Sequence, residues 1–210
     1  VLLLDIAPNE LTEEERKKGL SLDDKRVKNR IVQGSFDRSI KSNPAPLFSK
    51  KFASRVSLGN FTDDIPRING YDWIIEVVVE NLDIKKKVFE QVEKYRTPGT
   101  LITSNTSGIP IHLMADGRSH DFKKHFCGTH FFISPRYLKL FEVIPTPHTD
   151  PAVVDFLMHY GDLYLGKTTV LCKDTPAFIG NRVGVWGLLK VIDSMQKYDL
   201  NVDEIDKLTG

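Results

Sequence analysis

The sequence predicts a doubly wound α/β domain with a mostly parallel sheet, followed by the start of an all-helical unit. Three observations carry this. Short apolar runs of strand length alternate with helical periods along most of the chain. The fullest run, Trp73 to Val79, has β-branched residues at both parities, as strands buried on both faces do. After Thr175, helical patterns follow one another with no strand between them.

In chain order, Val1 to Leu4 is strand-like and ends at Asp5. A strongly charged segment runs on to about Ser54, with helical stretches over LTEEERKKGL and DDKRVKNRIVQGSFDRSIK and a break at NPAPLF, where two prolines interrupt the period. Arg55 to Leu58 is a short strand. Asp83 to Tyr95 is an amphipathic helix, with Ile84, Val88, Val92 and Tyr95 as its apolar stripe and Lys85, Lys86, Glu90 and Lys94 on the solvent face. Thr100 to Ser104, Phe126 to Phe132 and Phe141 to Ile144 read as strands. Asp150 caps a helix whose first residue is Pro151, and Thr168 to Cys172 returns as a strand. Thr175 caps a long helix from Pro176 to about Lys197, and Asn201 with Glu204 forms a capping box for one more. The expected division is 1–174 for the sheet domain and 175–210 for the start of a helical one.

Composition bounds the class without naming a function. Hydrophobic residues at 40% and charged residues at 27% are ordinary for a globular protein of 210 residues. A net charge of +1 offers no general attraction to nucleic acid or to anionic membrane. No apolar run approaches the roughly 20 residues of a bilayer span. Two cysteines, Cys127 and Cys172, give neither a disulfide framework nor metal-ligand spacing, which points to a reducing cytoplasm. The six histidines also lack ligand spacing, so no metal is expected.

The segment FCGTHFFISPRYLKLFEVIP carries the most chemistry. His130 stands in one apolar run and Glu142 in the next, 12 residues on, which allows a strand, a turn and a return. An imidazole beside a carboxylate is the usual arrangement of a histidine base. The spacing is equally compatible with a core histidine bonded to a backbone carbonyl. Gly161 to Thr168 matches the G-x-x-x-x-G-K-[ST] phosphate loop letter by letter, but a helix precedes it and a strand follows, the reverse of what phosphate binding needs. It reads as a turn. Asp5, at a strand end, has the position of a ribose-binding acid in a dinucleotide fold, or of a helix cap. No G-x-G-x-x-G occurs in the chain.

Taken together, VLLLDI, WIIEVVVENLDIKKKVF, SNTSGI, GTHFF, RYLKLFEVIPT and VLCKDTPAFIGNR resemble, in order, the NAD-binding domain of 3-hydroxyacyl-CoA dehydrogenases, most of all the bacterial multifunctional fatty-acid-oxidation type. The resemblance implies a Rossmann-like sheet lacking its first strand and glycine-rich turn, and hence an unpaired edge beside Val1 to Leu4. It implies NAD-dependent oxidation of (S)-3-hydroxyacyl-CoA to 3-oxoacyl-CoA in β-oxidation. His130 would be the base and Glu142 the carboxylate that orients it. Ser107 and Asn181 would hold the reacting oxygen and the nicotinamide end, and Glu80 and Lys85 would line the cofactor pocket and substrate entrance. Asp5 would favour NAD over NADP. The parent would be a homo-oligomer, in which an enoyl-CoA hydratase domain can be fused.

One departure stands beside the site. The family commonly has Asn-Pro after HFF, where this chain has Ile133-Ser134-Pro135. Loss of an amide there supports an alternative, a dinucleotide-fold binding or scaffold domain without the chemistry.

Overall fold

The computed structural model describes residues 1–209. Two parallel strands, β1 (Leu2–Asp5) and β2 (Ser57–Asn60), form a small sheet, with Leu2 opposite Ser57 and Asp5 opposite Asn60. Between them lie three α-helices, α1 (Glu13–Lys17), α2 (Lys25–Lys28) and α3 (Arg30–Lys41), and a 3-10 turn over Lys50–Arg55. Thr12 and Glu15 close a reciprocal capping box at the start of α1.

The main sheet has the order β3 (Trp73–Glu76), β4 (Leu101–Ser104), β5 (Phe126–Phe131), β6 (Leu140–Pro145) and β7 (Thr168–Leu171). All its pairs are parallel except β5 with β6. A hairpin loop joins those two, whereas parallel neighbours need a crossover. The crossovers are α4 (Leu82–Tyr95), α5 (Ile111–Met114) with α6 (His120–Lys124), and α7 (Pro151–Leu163). The core lies under α4, where Phe89 meets Phe122 and Phe126 edge-on at 5.6 and 5.1 Å. Two helices follow, α8 (Gly180–Tyr198) and α9 (Val202–Thr209), the latter opened by reciprocal bonds between Asn201 and Glu204.

The expected α/β architecture with its mostly parallel sheet is present, with three local corrections. The strand expected over Trp73 to Val79 ends at Glu76, and Val77 and Val79 beyond it are exposed. They line an apolar cleft of about 660 Å³ between β3 and β1, whose other wall includes Leu2 and Leu4. On that side neither β1 nor β3 has a neighbouring strand among the described residues. The edge of β1 is thus open on one side and paired with β2 on the other.

The second correction concerns α4. Lys85 is not on the solvent face but fully buried, in line with Phe89 and Val92, while Ile84 is exposed. Two carboxylates, described below, draw the ammonium inward. The third concerns α8, which starts at Gly180 rather than Pro176. Ala177 and Phe178 have left-handed backbone, φ 63° and 47°, and so cannot belong to a right-handed helix. The Gly161–Thr168 match proves to be a helix-to-strand turn. Gly161 lies within α7, Gly166 takes the left-handed turn position, and the Lys167 ammonium donates to the carbonyls of Pro135 and Leu138.

Candidate active site

His130 lies near the end of β5 and Glu142 on β6, directly opposite each other in the antiparallel ladder. Both are buried. Nδ1 of His130 is 2.7 Å from Oε2 of Glu142. Because an ionised carboxylate only accepts, this contact assigns the ring proton to Nδ1 and leaves Nε2 as the basic atom. Nε2 has no hydrogen bond among the described residues. The ring is held between Phe132 and Phe178, at centroid distances of 4.5 and 5.8 Å.

The other oxygen of Glu142 accepts from the amides of Ile179 (3.0 Å) and Gly180 (2.7 Å) at the start of α8. The left-handed pair Ala177 and Phe178 makes this possible, turning the chain so that both amides face the carboxylate and the Phe178 ring faces His130. Gly180 must lack a side chain here, since a Cβ would come within 2.6 Å of the Phe132 ring. Cys172 is buried beside the same carboxylate, and burial followed by that negative charge pushes its thiol up to about 12. Burial pushes Cys127 up to about 12 as well, so neither is a nucleophile.

Asn181 follows Gly180, and its Nδ2 donates to the backbone carbonyl of Ser107 at 3.5 Å. Ser107 is exposed in the loop after β4. Its amide, the Thr106 hydroxyl and the Gly108 amide all donate to Oε1 of Glu80, at 3.0, 2.5 and 3.2 Å respectively. Burial alone would raise the Glu80 carboxyl. The hydrogen bond from Thr106, the Lys85 charge and the Ser107 amide outweigh it and hold it below the ordinary 4.5. Lys85 donates to Glu76 (2.9 Å) and the Val78 carbonyl (3.1 Å), and lies 3.4 Å from Oε2 of Glu80. Its ammonium therefore faces protein on every side, and it meets the loop only through Glu80.

The structure thus links His130 and Glu142, through Gly180 and its chain neighbour Asn181, to Ser107, Glu80 and Lys85. Asp5 stands apart, at the end of β1. Three residues of this constellation were not anticipated. Asn105 accepts from the amide of Phe131, next to His130, at 2.9 Å. Thr106 donates to Glu80, and Glu76 holds Lys85. Asn105 and Thr106 belong to the SNTSGI block, which was the available signal. Glu76 looked like any strand residue.

At the end of β1 the residues fit the ribose part of a dinucleotide. The Asp5 carboxylate receives one hydrogen bond among the described residues, from the Ile6 amide to Oδ1, and keeps acceptor capacity for ribose hydroxyls. Exposed Ile6, Val77 and Val79 beside the strand ends offer apolar surface for flat rings.

The family model of the 3-hydroxyacyl-CoA dehydrogenase NAD binding domain matches residues 1–175. The chain is similar to a probable 3-hydroxyacyl-CoA dehydrogenase of Bacillus subtilis, 50% identical over 210 residues, covering all of this chain and 27% of that protein. It is also similar to a probable 3-hydroxyacyl-CoA dehydrogenase of Deinococcus radiodurans, 40% identical, covering all of this chain and 57% of the relative. The chain thus spans about a quarter of the first and just over half of the second. Among solved structures, a 3-hydroxybutyryl-CoA dehydrogenase from Escherichia coli K12 superposes with a TM-score of 0.67 at 26% identity, over 93% of this chain and 38% of that one. A match over most of the chain, on a sheet of this order, means that the chain belongs to the family of 3-hydroxyacyl-CoA dehydrogenase NAD-binding domains.

Proposed function

We propose that the full-length protein oxidises (S)-3-hydroxyacyl-CoA to 3-oxoacyl-CoA with NAD, in fatty-acid β-oxidation, and that His130 is its general base. The observation that carries this is the 2.7 Å contact of His130 Nδ1 with buried Glu142, which leaves Nε2 without a protein partner among the described residues. NAD, when bound, supplies the acceptor for the hydride that leaves C3.

His130 takes the proton of the 3-hydroxyl at Nε2. Glu142 keeps the ring in the tautomer that can do so and stabilises the imidazolium that results. Ser107 and Asn181 hold the substrate oxygen as its charge changes. In the reverse direction the protonated ring of His130 polarises the ketone. Asp5 takes the adenosine ribose, and Glu80 fixes the Ser107 loop beside the nicotinamide end.

In this reading residues 1–174 are the dinucleotide-binding unit and 175–210 begin a helical one. A relative of which this chain spans 27% has room for further domains. The scaffold alternative draws its support from Ile133, but that side chain is 91% exposed and leaves the His130–Glu142 pair intact. The test is NADH formation by the full-length protein from NAD and a 3-hydroxyacyl-CoA. Binding of both without turnover would favour the scaffold.

A further inference from the structure

We infer that Glu76 is a positioning residue for the proposed reaction, setting the Ser107 loop through Lys85 and Glu80. The inference rests on the reading of Ser107 as an oxygen-holding group.

Glu76 is the last residue of β3 and is 4% exposed. A carboxylate so placed needs partners, and it has three. Lys85 donates to Oε1 at 2.9 Å, the Val78 amide to Oε1 at 2.6 Å, and the Ser104 hydroxyl to Oε2 at 2.5 Å. Ser104 is the register partner of Glu76 in the β3–β4 pair, and the Asn105 amide donates to the Glu76 carbonyl. The carboxyl ends of two neighbouring parallel strands are thereby tied together where the Ser107 loop begins.

Lys85 extends the tie. An ammonium has three protons, and three acceptors surround this one: Glu76, Glu80 and the Val78 carbonyl. Two carboxylates share one cation, Glu76 from inside and Glu80 from the loop side. The sharing holds Oε2 of Glu80 at 3.4 Å from Lys85 and leaves Oε1 to gather Thr106, Ser107 and Gly108. With Glu76 neutral, Lys85 would have Glu80 as its sole counter-ion. The closer pair that follows draws Glu80 off the amides of Ser107 and Gly108. Asn105, bonded to the Phe131 amide, joins this loop to the strand of His130, so displacement of the loop changes its distance from the base.

The experiment compares wild type, Glu76→Gln and Ser104→Ala in the full-length protein by amide hydrogen exchange and by steady-state kinetics. Glu76→Gln should speed exchange over residues 104–109 by about tenfold or more, with residues 140–145 of β6 unchanged. It should lower kcat roughly 10–100-fold, as misplacement of a reacting group by about 1 Å does. KM for the acyl-CoA should change little. Ser104→Ala keeps the Glu76–Lys85 pair and should show a smaller effect in the same peptide. Unchanged exchange over 104–109 in both variants would overturn the inference. An equal rise across both segments would also overturn it, by showing a role in stability only. Absence of turnover by the wild type would count against the dehydrogenase reading, and the exchange comparison would still decide the role of Glu76.

Discussion

Glu142 faces His130 directly across the β5–β6 pair and divides its two oxygens between the imidazole and the amides of Ile179 and Gly180. Every group it meets is a donor, so the site needs an atom set that only accepts. Glutamine does not satisfy this. With its carbonyl toward the two amides, its NH₂ faces Nδ1 of His130 and favours the tautomer with the proton on Nε2. Glu142→Gln should lower kcat of the full-length protein by roughly 10²–10⁴-fold, since the base loses its tautomer and orientation. It should also cost about 1–3 kcal/mol of stability, because the amides of Ile179 and Gly180 lose a charged acceptor. Turnover together with urea unfolding checks both. Loss of stability with normal turnover would make Glu142 a structural tie alone.

Asp5 leads to a statement about cofactor choice. A carboxylate at the end of β1 accepts from ribose hydroxyls and repels a 2′-phosphate. The full-length protein should have a higher kcat/KM with NAD than with NADP, and Asp5→Ser should narrow the difference. A preference for NADP in the wild type would reduce Asp5 to a strand-end acceptor for the Ile6 amide.

Acid should loosen the fold around α4. Burial alone would raise the carboxyls of Glu80, Glu93 and Asp121, but their hydrogen bonds outweigh it and all three lie below their ordinary values of 4.5, 4.5 and 3.8. Thr106 with Lys85, Ser119 with Arg118, and Arg96 with the Gly99 amide are the respective donors. A depressed folded-state pKa contributes stability that is complete above the unfolded-state value and is lost as pH falls through the folded one. The urea midpoint should therefore hold from pH 7 to about 5 and decline below about 4.5. A midpoint flat down to pH 3 would show that these bonds contribute nothing net.

Much of this was legible in the chain, for physical reasons. His130 and Glu142 stand in apolar runs separated by the length of a hairpin, and antiparallel pairing brings such residues opposite each other. The Asp150–Pro151 and Asn201–Glu204 helix starts were readable because caps are local. Lys85 was not readable. Helical spacing suits it to the solvent face as well as to the core, and what decides is a pair of acids brought from the end of β3 and the following loop. Thr175-Pro176 has the form of a helix start, yet the chain makes a left-handed turn at Ala177 and Phe178 before α8 begins. That turn is held by Glu142, a contact over 37 residues that no local pattern signals.

The central claim is that the Nε2 of His130 removes the substrate proton, and the most direct measurement is kcat of full-length His130→Gln beside wild type, with NAD affinity measured in both. The account predicts a fall in kcat of roughly 10²–10⁴-fold, the usual worth of a positioned base, with NAD affinity little changed. Turnover near the wild-type rate in His130→Gln would contradict it.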